Sequence, residues 1–231
     1  MTVKTLNSLL AKLNKGVDNK SIFLRPLSNL IDLGKSFVET PKATDSISSS
    51  TQLYKFYFIK NADGVYVAVV LDMSQDLHWY VLPKYQRQGH LTNALKTIIL
   101  PHIFQNKTEQ KVSININSIG QKDFNASTNV AKKLGFTQIS DSEYILKKEN
   151  FHINESITEI NVGISDERLS ELRKNICYIS RLLSNVQAEV EMKLGDSEYT
   201  EELLKLVNDI YSHTYKLEDA VYDFNKENTG C

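Results

Sequence analysis

The chain has 231 residues, with 41% hydrophobic and 24% charged side chains and a formal net charge of −1. That is an ordinary globular balance, long enough for one large domain or a standard domain with an appendage. The near-zero charge removes any bulk argument for nucleic acid, and no apolar run approaches the roughly 20 residues of a membrane span.

The first residues, Met1-Thr2-Val3-Lys4-Thr5-Leu6, lack the apolar core of a signal peptide. The two cysteines, Cys177 and Cys231, make a structural disulfide an unattractive reading, and a cytoplasmic location is expected. The histidines are scattered, none beside another ligand type at metal spacing, so no metal site is expected. Charge is uneven: residues 1–60 carry nine Lys or Arg against four Asp or Glu, and residues 196–225 carry eight acids against two lysines. These are either two solvated faces or an acidic segment that docks on the basic half or attracts a cationic substrate.

In chain order, residues 6–13 have helical spacing that stops near Gly16. Ser21-Ile22-Phe23-Leu24-Arg25-Pro26 reads as a strand ended by proline. Residues 27–38 are amphipathic and are expected to be helical, and residues 41–50 are rich in turn formers and read as a loop. Three strands follow, at 54–60, 65–72 and 77–82. Asn61-Ala62-Asp63-Gly64 joins the first two as a hairpin, because Asp-Gly tolerates positive φ. Pro83 ends the third strand. Residues 91–104 have apolar positions at helical spacing. A strand is expected at 112–116 and a helix at 126–134 with Gly135 as its cap, then one or two strands within 136–146. The layout is mixed α/β.

From about residue 165 the period changes. Leu169, Leu172, Ile176, Ile179, Leu183, Val186 and Val190 alternate spacings of three and four. Gly195-Asp196-Ser197 breaks the pattern, which resumes at Leu203, Val207, Ile210, Thr214, Leu217, Val221 and Phe224. Two such helices, each roughly 40–45 Å long, should fold back as an antiparallel hairpin. The domains are therefore expected at 1–150 and 151–231. Tyr211, Tyr215 and Tyr222 form a second stripe about 120° around the last helix. The seams either bury against each other or the core, or serve a homodimer or a protein partner.

Chemistry concentrates in Trp79-Tyr80-Val81-Leu82-Pro83-Lys84-Tyr85-Gln86-Arg87-Gln88-Gly89-His90-Leu91-Thr92, between a strand and a helix. Helix N-termini present unpaired N–H groups and the positive end of the dipole. Gly89 allows close approach of an anion, and Arg87 adds charge at the rim. From the residues alone the segment is either an ordinary turn or a cradle for a pyrophosphate.

The stretch resembles motif A of the GNAT superfamily of acyl-coenzyme A-dependent N-acetyltransferases, written (Gln/Arg)-x-x-Gly-x-(Gly/Ala). Gln86 fills its first position and Gly89 its glycine; Leu91 replaces the final small residue. Leu77-His78-Trp79-Tyr80-Val81 resembles the preceding strand in the ribosomal-protein N-terminal acetyltransferase subgroup. Ser127 through Leu134-Gly135-Phe136 resembles the family's late helix, and Ser21 to Pro26 its first strand. The resemblance covers about residues 20–149. It implies a mixed, mostly antiparallel sheet flanked by helices, with two central strands splayed apart. It further implies acetyl-coenzyme A as cosubstrate, its pantetheine against the main chain of Trp79, Tyr80 and Val81. The pyrophosphate would lie on the N–H groups of Arg87, Gln88, Gly89, His90, Leu91 and Thr92, with Asn125 and Ser127 also in the cofactor site. The acceptor would be a primary amine on a protein N-terminus, a lysine, a polyamine or a small compound.

The catalytic positions depart from the family. Where many members carry a glutamate base stands Gln75, next to Asp76. Where others carry a tyrosine acid stands Ala131. Asp76, His78 and Tyr80 remain as candidate proton carriers, and histidine is the side chain suited to base chemistry near neutrality. A non-catalytic acyl-coenzyme A-binding module, its hairpin recruiting a partner, is the competing expectation.

Overall fold

A computed structural model describes residues 2–16, 21–37, 40–49, 52–152, 157 and 160–228. They form two compact units, Met1–Asn161 and Val162–Cys231.

The first unit opens with α1 (Val3–Asn14), which buries Leu6, Leu9, Leu10 and Leu13 along one face. Five strands follow: β1 (Ile22–Ser28), β2 (Ile31–Ser36), β3 (Tyr54–Lys60), β4 (Tyr66–Asp72) and β5 (Leu77–Val81). They pair antiparallel in simple sequence order. The expected β3–β4 hairpin forms, with Gly64 at φ 78° and the Val65 N–H donating to the Asn61 side chain.

Two readings at the start of the sheet are corrected. Residues 27–38 are not helical, because Ile31–Ser36 is a strand. The apolar spacing in this stretch fits a helix, but hairpin pairing to β1 and to β3 supplies the main-chain partners. Asp32, which would sit on a polar helical face, is buried and accepts from the Tyr66 hydroxyl at 2.6 Å and Lys60 at 2.8 Å. Gly34 admits the Phe58 ring, which would lie 2.5 Å from an added Cβ. Nor does Pro26 end its strand: β1 continues to Ser28 with a register shift. Proline is tolerated there because β1 is an edge strand and loses no ladder donor.

After β5 and a 3₁₀ turn (Pro83–Tyr85), the chain runs through α2 (His90–Ala94), a π-helical turn (Leu95–Ile99) and α3 (Leu100–Phe104). Pro101 lies near the junction, and a wider turn accommodates a residue lacking an N–H. Next come β6 (Glu109–Ser113), α4 (Ile116–Lys133), β7 (Thr137–Gln138) and β8 (Glu143–Lys147). The helical segment therefore starts ten residues before the expected Ala126, with a break at Gly120 (φ 75°, ψ 163°). Its end is as expected: Gly135 takes φ 89° and the Phe136 N–H reaches back to the Ala131 carbonyl.

β6, β8 and β7 make a second, antiparallel sheet. Two apolar clusters cover the faces of the first unit. One contains α2, α3 and α4 residues with Leu77, Val112 and Tyr144; the other contains α1 with Phe56, Phe58, Val69 and Leu71.

The second unit is the expected helical hairpin, α5 (Asp166–Leu194) and α6 (Glu198–Asn228). Ser165 caps α5 and Gly195, at φ 86°, ends it. The Ser180 hydroxyl donates to the Val207 carbonyl at 2.9 Å across the pair. No helix among the described residues is long and apolar enough to cross a membrane.

Candidate functional site

The two sheets meet at one point. Asp76 and Lys111 form an isolated parallel bridge, and the Lys111 N–H donates to the Gln75 carbonyl at 3.1 Å. The Asp76 Oδ1 then accepts from the Ser113 N–H at 2.8 Å. Beyond that clamp β5 and β6 belong to different sheets.

The open edge of β5 can be assigned group by group. Met73 N–H to Asp76 carbonyl and Leu82 N–H to Val67 carbonyl bracket the β4–β5 ladder. Main-chain groups alternate sides along an antiparallel strand. Residues 78 and 80 therefore pair with β4, while Leu77, Trp79 and Val81 turn their N–H and C=O outward. Of the three residues expected to present main chain to a ligand, Trp79 and Val81 have their main-chain groups on the open edge and Tyr80 has them on β4.

Side chains alternate likewise. Trp79 packs on the cluster with α4, and its indole N–H donates to the Ser127 hydroxyl at 3.3 Å. The fold thus brings together two of the sequence-derived positions from elements 48 residues apart. Asn125 is exposed, and its amide oxygen accepts from Gln121 on its own helix.

His78 and Tyr80 face the other side. The His78 Nε2 is 3.2 Å from the Asp76 Oδ2. Burial alone would raise the Asp76 carboxyl, but hydrogen bonds from His78 and Ser113 outweigh it and hold the group below the usual carboxylate range. Both oxygens are engaged, so Asp76 is better suited to orienting the imidazole than to taking a proton. Burial pushes the Tyr80 phenol up, which keeps it protonated near neutrality. Ala131, fully buried, offers no proton donor.

The loop at the open end of β5 has two residues in the left-handed region, Arg87 at φ 62° and Gly89 at φ 83°. Such alternation turns successive N–H groups toward one concavity. Gly89 caps α2 with no side-chain hydrogen bond, and the Asn93 N–H to Gly89 carbonyl is the first helical bond. Among the described residues, no partner is found for the N–H groups of Arg87, Gln88, Gly89, His90, Leu91 and Thr92. Nothing lies within 4 Å of a Cβ built on Gly89, so the space before its Cα is open.

The side chains brace the loop. The Gln86 amide donates to the Val81 carbonyl at 3.4 Å, and Gln88 donates to the Lys84 carbonyl at 3.0 Å. His90 lies 3.2 Å from the Gln88 side chain. Leu91 is buried in the core, which explains how a large residue fits where the motif has a small one: its side chain turns inward.

Sequence reasoning missed the Ser113 N–H and the Gln75–Lys111 bond, because main-chain partners carry no residue signature. It also missed Thr128, beside Ser127. Its buried hydroxyl has no hydrogen-bond partner among the described residues. No family model, curated protein or solved structure matches the chain.

Proposed function

We propose that the first unit is an acyl-coenzyme A-dependent N-acyltransferase, using acetyl groups and a primary amine acceptor. The observation that carries this reading is the outward edge of β5. It is open from the Asp76 clamp to Val81 and runs directly into a loop of unpartnered N–H groups around Gly89. A ligand suited to it has an extended, amide-bearing arm ending in a multiply charged anion, as pantetheine pyrophosphate does. Trp79 and Val81 supply N–H and C=O groups to the arm, and residues 87–92 supply N–H groups to the phosphates.

In the reaction the amine nitrogen bonds to the thioester carbonyl carbon and the carbon–sulfur bond breaks. The amine proton passes to the His78 imidazole, which Asp76 holds by one nitrogen. The departing sulfur takes up a proton and leaves as the thiol. The outward N–H groups of β5 are suited to stabilise the charge that develops on the carbonyl oxygen.

One feature favours a second reading, a non-catalytic acyl-coenzyme A-binding module. Gln75 and Ala131 occupy the positions where the family places its base and acid. Thiol release from acetyl-coenzyme A, measured against a panel of amines with the product weighed by mass spectrometry, separates the two. Amine-dependent release with an acetylated product is expected. Tight binding without release supports the module instead.

A further inference from the structure

We infer that the imidazole of His90 is itself a phosphate ligand of the acyl-coenzyme A site and takes up a proton when the cosubstrate binds. The inference rests on the acyl-coenzyme A reading above and adds a side chain and a proton to it.

Hydrogen bonding within the loop fixes the state of the ring. The Gln88 side-chain amide lies 3.0 Å from the Lys84 carbonyl. A carbonyl only accepts, so the amide nitrogen faces Lys84 and the amide oxygen is left for His90. That oxygen lies 3.2 Å from His90 Nε2, and it too only accepts. Nε2 therefore carries hydrogen, and in the neutral ring Nδ1 is a bare lone pair. The neutral alternative, with hydrogen on Nδ1, would set the Nε2 lone pair against the Gln88 oxygen. The ring is also held in place by Tyr85, which meets it edge-on with centroids 6.5 Å apart.

Nδ1 is two bonds from Cβ, so it stays close to the main chain of its own residue. The N–H groups of Gly89, His90 and Leu91 are among the six that the loop leaves without a partner. A phosphate seated on them therefore lies beside Nδ1. A lone pair there repels a phosphate oxygen, whereas a second N–H attracts it. With both nitrogens protonated, Nε2 donates to Gln88 and Nδ1 donates to the phosphate, and the second bond is charge-assisted.

The counter-charge for an imidazolium arrives with the ligand. The ionised side chains of the loop itself are Lys84, which lies over the Tyr85 ring, and Arg87. The first turn of α2 has no acidic residue. Beneath α2 lie β3 and β4, which contribute Tyr57, Ile59, Ala68 and Val70 to the core cluster there. Lys55 and Asp72 pair with each other at the end of those strands remote from the loop. The sign follows. An imidazole beside an anion holds its second proton to higher pH than one in water, which titrates around pH 6.5. Binding takes up the proton, so the His90 contribution to affinity is complete at low pH and fades as pH rises through the range of the bound ring.

The test is calorimetric titration of acetyl-coenzyme A into wild type and His90→Gln, each first shown to be folded, at pH 6, 7 and 8.5. Glutamine keeps a donor but does not titrate. The cosubstrate's own phosphates and the other histidines titrate with both proteins, so they drop out of the ratio. Wild type is expected to bind more than about tenfold tighter than the variant at pH 6 and less than about threefold tighter at pH 8.5, the worth of one charge-assisted bond gained and lost. Repeating the pH 7 titration in two buffers of different ionisation heat should show more proton uptake in wild type. A ratio that does not change with pH, or equal proton uptake in the two proteins, overturns the inference and leaves the acyl-coenzyme A reading standing. No binding by wild type at any pH overturns both.

Discussion

Asp76 divides its carboxylate between the main chain of β6 and the imidazole of His78. Removing the imidazole should therefore cost more rate than removing the charge that orients it. At saturating acetyl-coenzyme A, His78→Ala should lose about 10²–10⁴-fold in turnover, the usual worth of a general base. Asp76→Asn should lose less, and neither should change acetyl-coenzyme A affinity. Wild-type turnover in His78→Ala from pH 6 to 9 would rule His78 out. A second titratable residue stands outside the Asp76–His78 pair. His102 is buried, with its Nδ1 2.9 Å from the Tyr57 hydroxyl. Burial, then Lys55, pushes its imidazole below the usual histidine range, against the pull of Asp72, with Arg25 adding to the depression. Tyr57 is raised by burial and then by Asp72, so it keeps its proton and donates. Below about pH 6.5 the unfolded chain binds a proton that the folded chain resists. The stability His102 supports is full above that pH and falls as pH drops toward the folded value. Urea unfolding at pH 7.5 and 5.5 should show this loss in wild type and a smaller one in His102→Phe. Equal losses would mean that the histidine is not the proton acceptor. Sequence reading reached Asp76 and His78 as the proton carriers that remain beside Gln75, where the resembled family carries its glutamate. It did not find the Tyr57–His102 pair, whose members are 45 residues apart and meet only through packing.

Among the elements, those with strong local signals were legible: β3, β4 and β5, the Asp63-Gly64 turn, the Gly135 cap and the two long helices. The element misread was β2, whose identity depends on hairpin pairing and on Tyr66 and Lys60 reaching Asp32. The early start of α4 was missed because residues 116–125 lack an apolar stripe and are broken by Gly120. The loop after β5 makes a sharper prediction at this scale. Gly89→Val both forces a branched residue to φ 83° and fills the open space, whereas Gly89→Asn fills the space with a residue that tolerates the left-handed region. Both should weaken acetyl-coenzyme A binding, and Arg87→Ala should weaken it less, since main-chain groups make most of the cradle. On α4, the Thr128 hydroxyl is buried without a partner. Thr128→Val should leave the unliganded chain as stable as wild type, or stabilise it by up to about 1 kcal/mol, because an unpaired buried hydroxyl is a cost. A loss of more than about 1 kcal/mol in thermal unfolding would mean that the hydroxyl has a partner in solution.

At the scale of the molecule, the two apolar clusters of the first unit are drawn entirely from residues 6–157, and the hairpin contributes none of them. A chain ended after Asn161 should therefore fold and keep its affinity for acetyl-coenzyme A, with Trp79 as the reporter. Trp79 is the only tryptophan in the sequence, and it sits on the open edge of β5 against Ser127. Its emission should change on adding acetyl-coenzyme A to the full chain and to the shortened one alike. An unfolded shortened chain would make the hairpin part of the first unit's stability. The most direct measurement is calorimetric titration of acetyl-coenzyme A into wild type, Gly89→Val and Gly89→Asn, each first shown to be folded. Saturable binding is expected in wild type, weakened by more than about tenfold, or 1.4 kcal/mol, in both variants. Equal affinity in all three folded proteins, or no binding by wild type, would contradict the assignment of the β5 edge and its loop as the acyl-coenzyme A site.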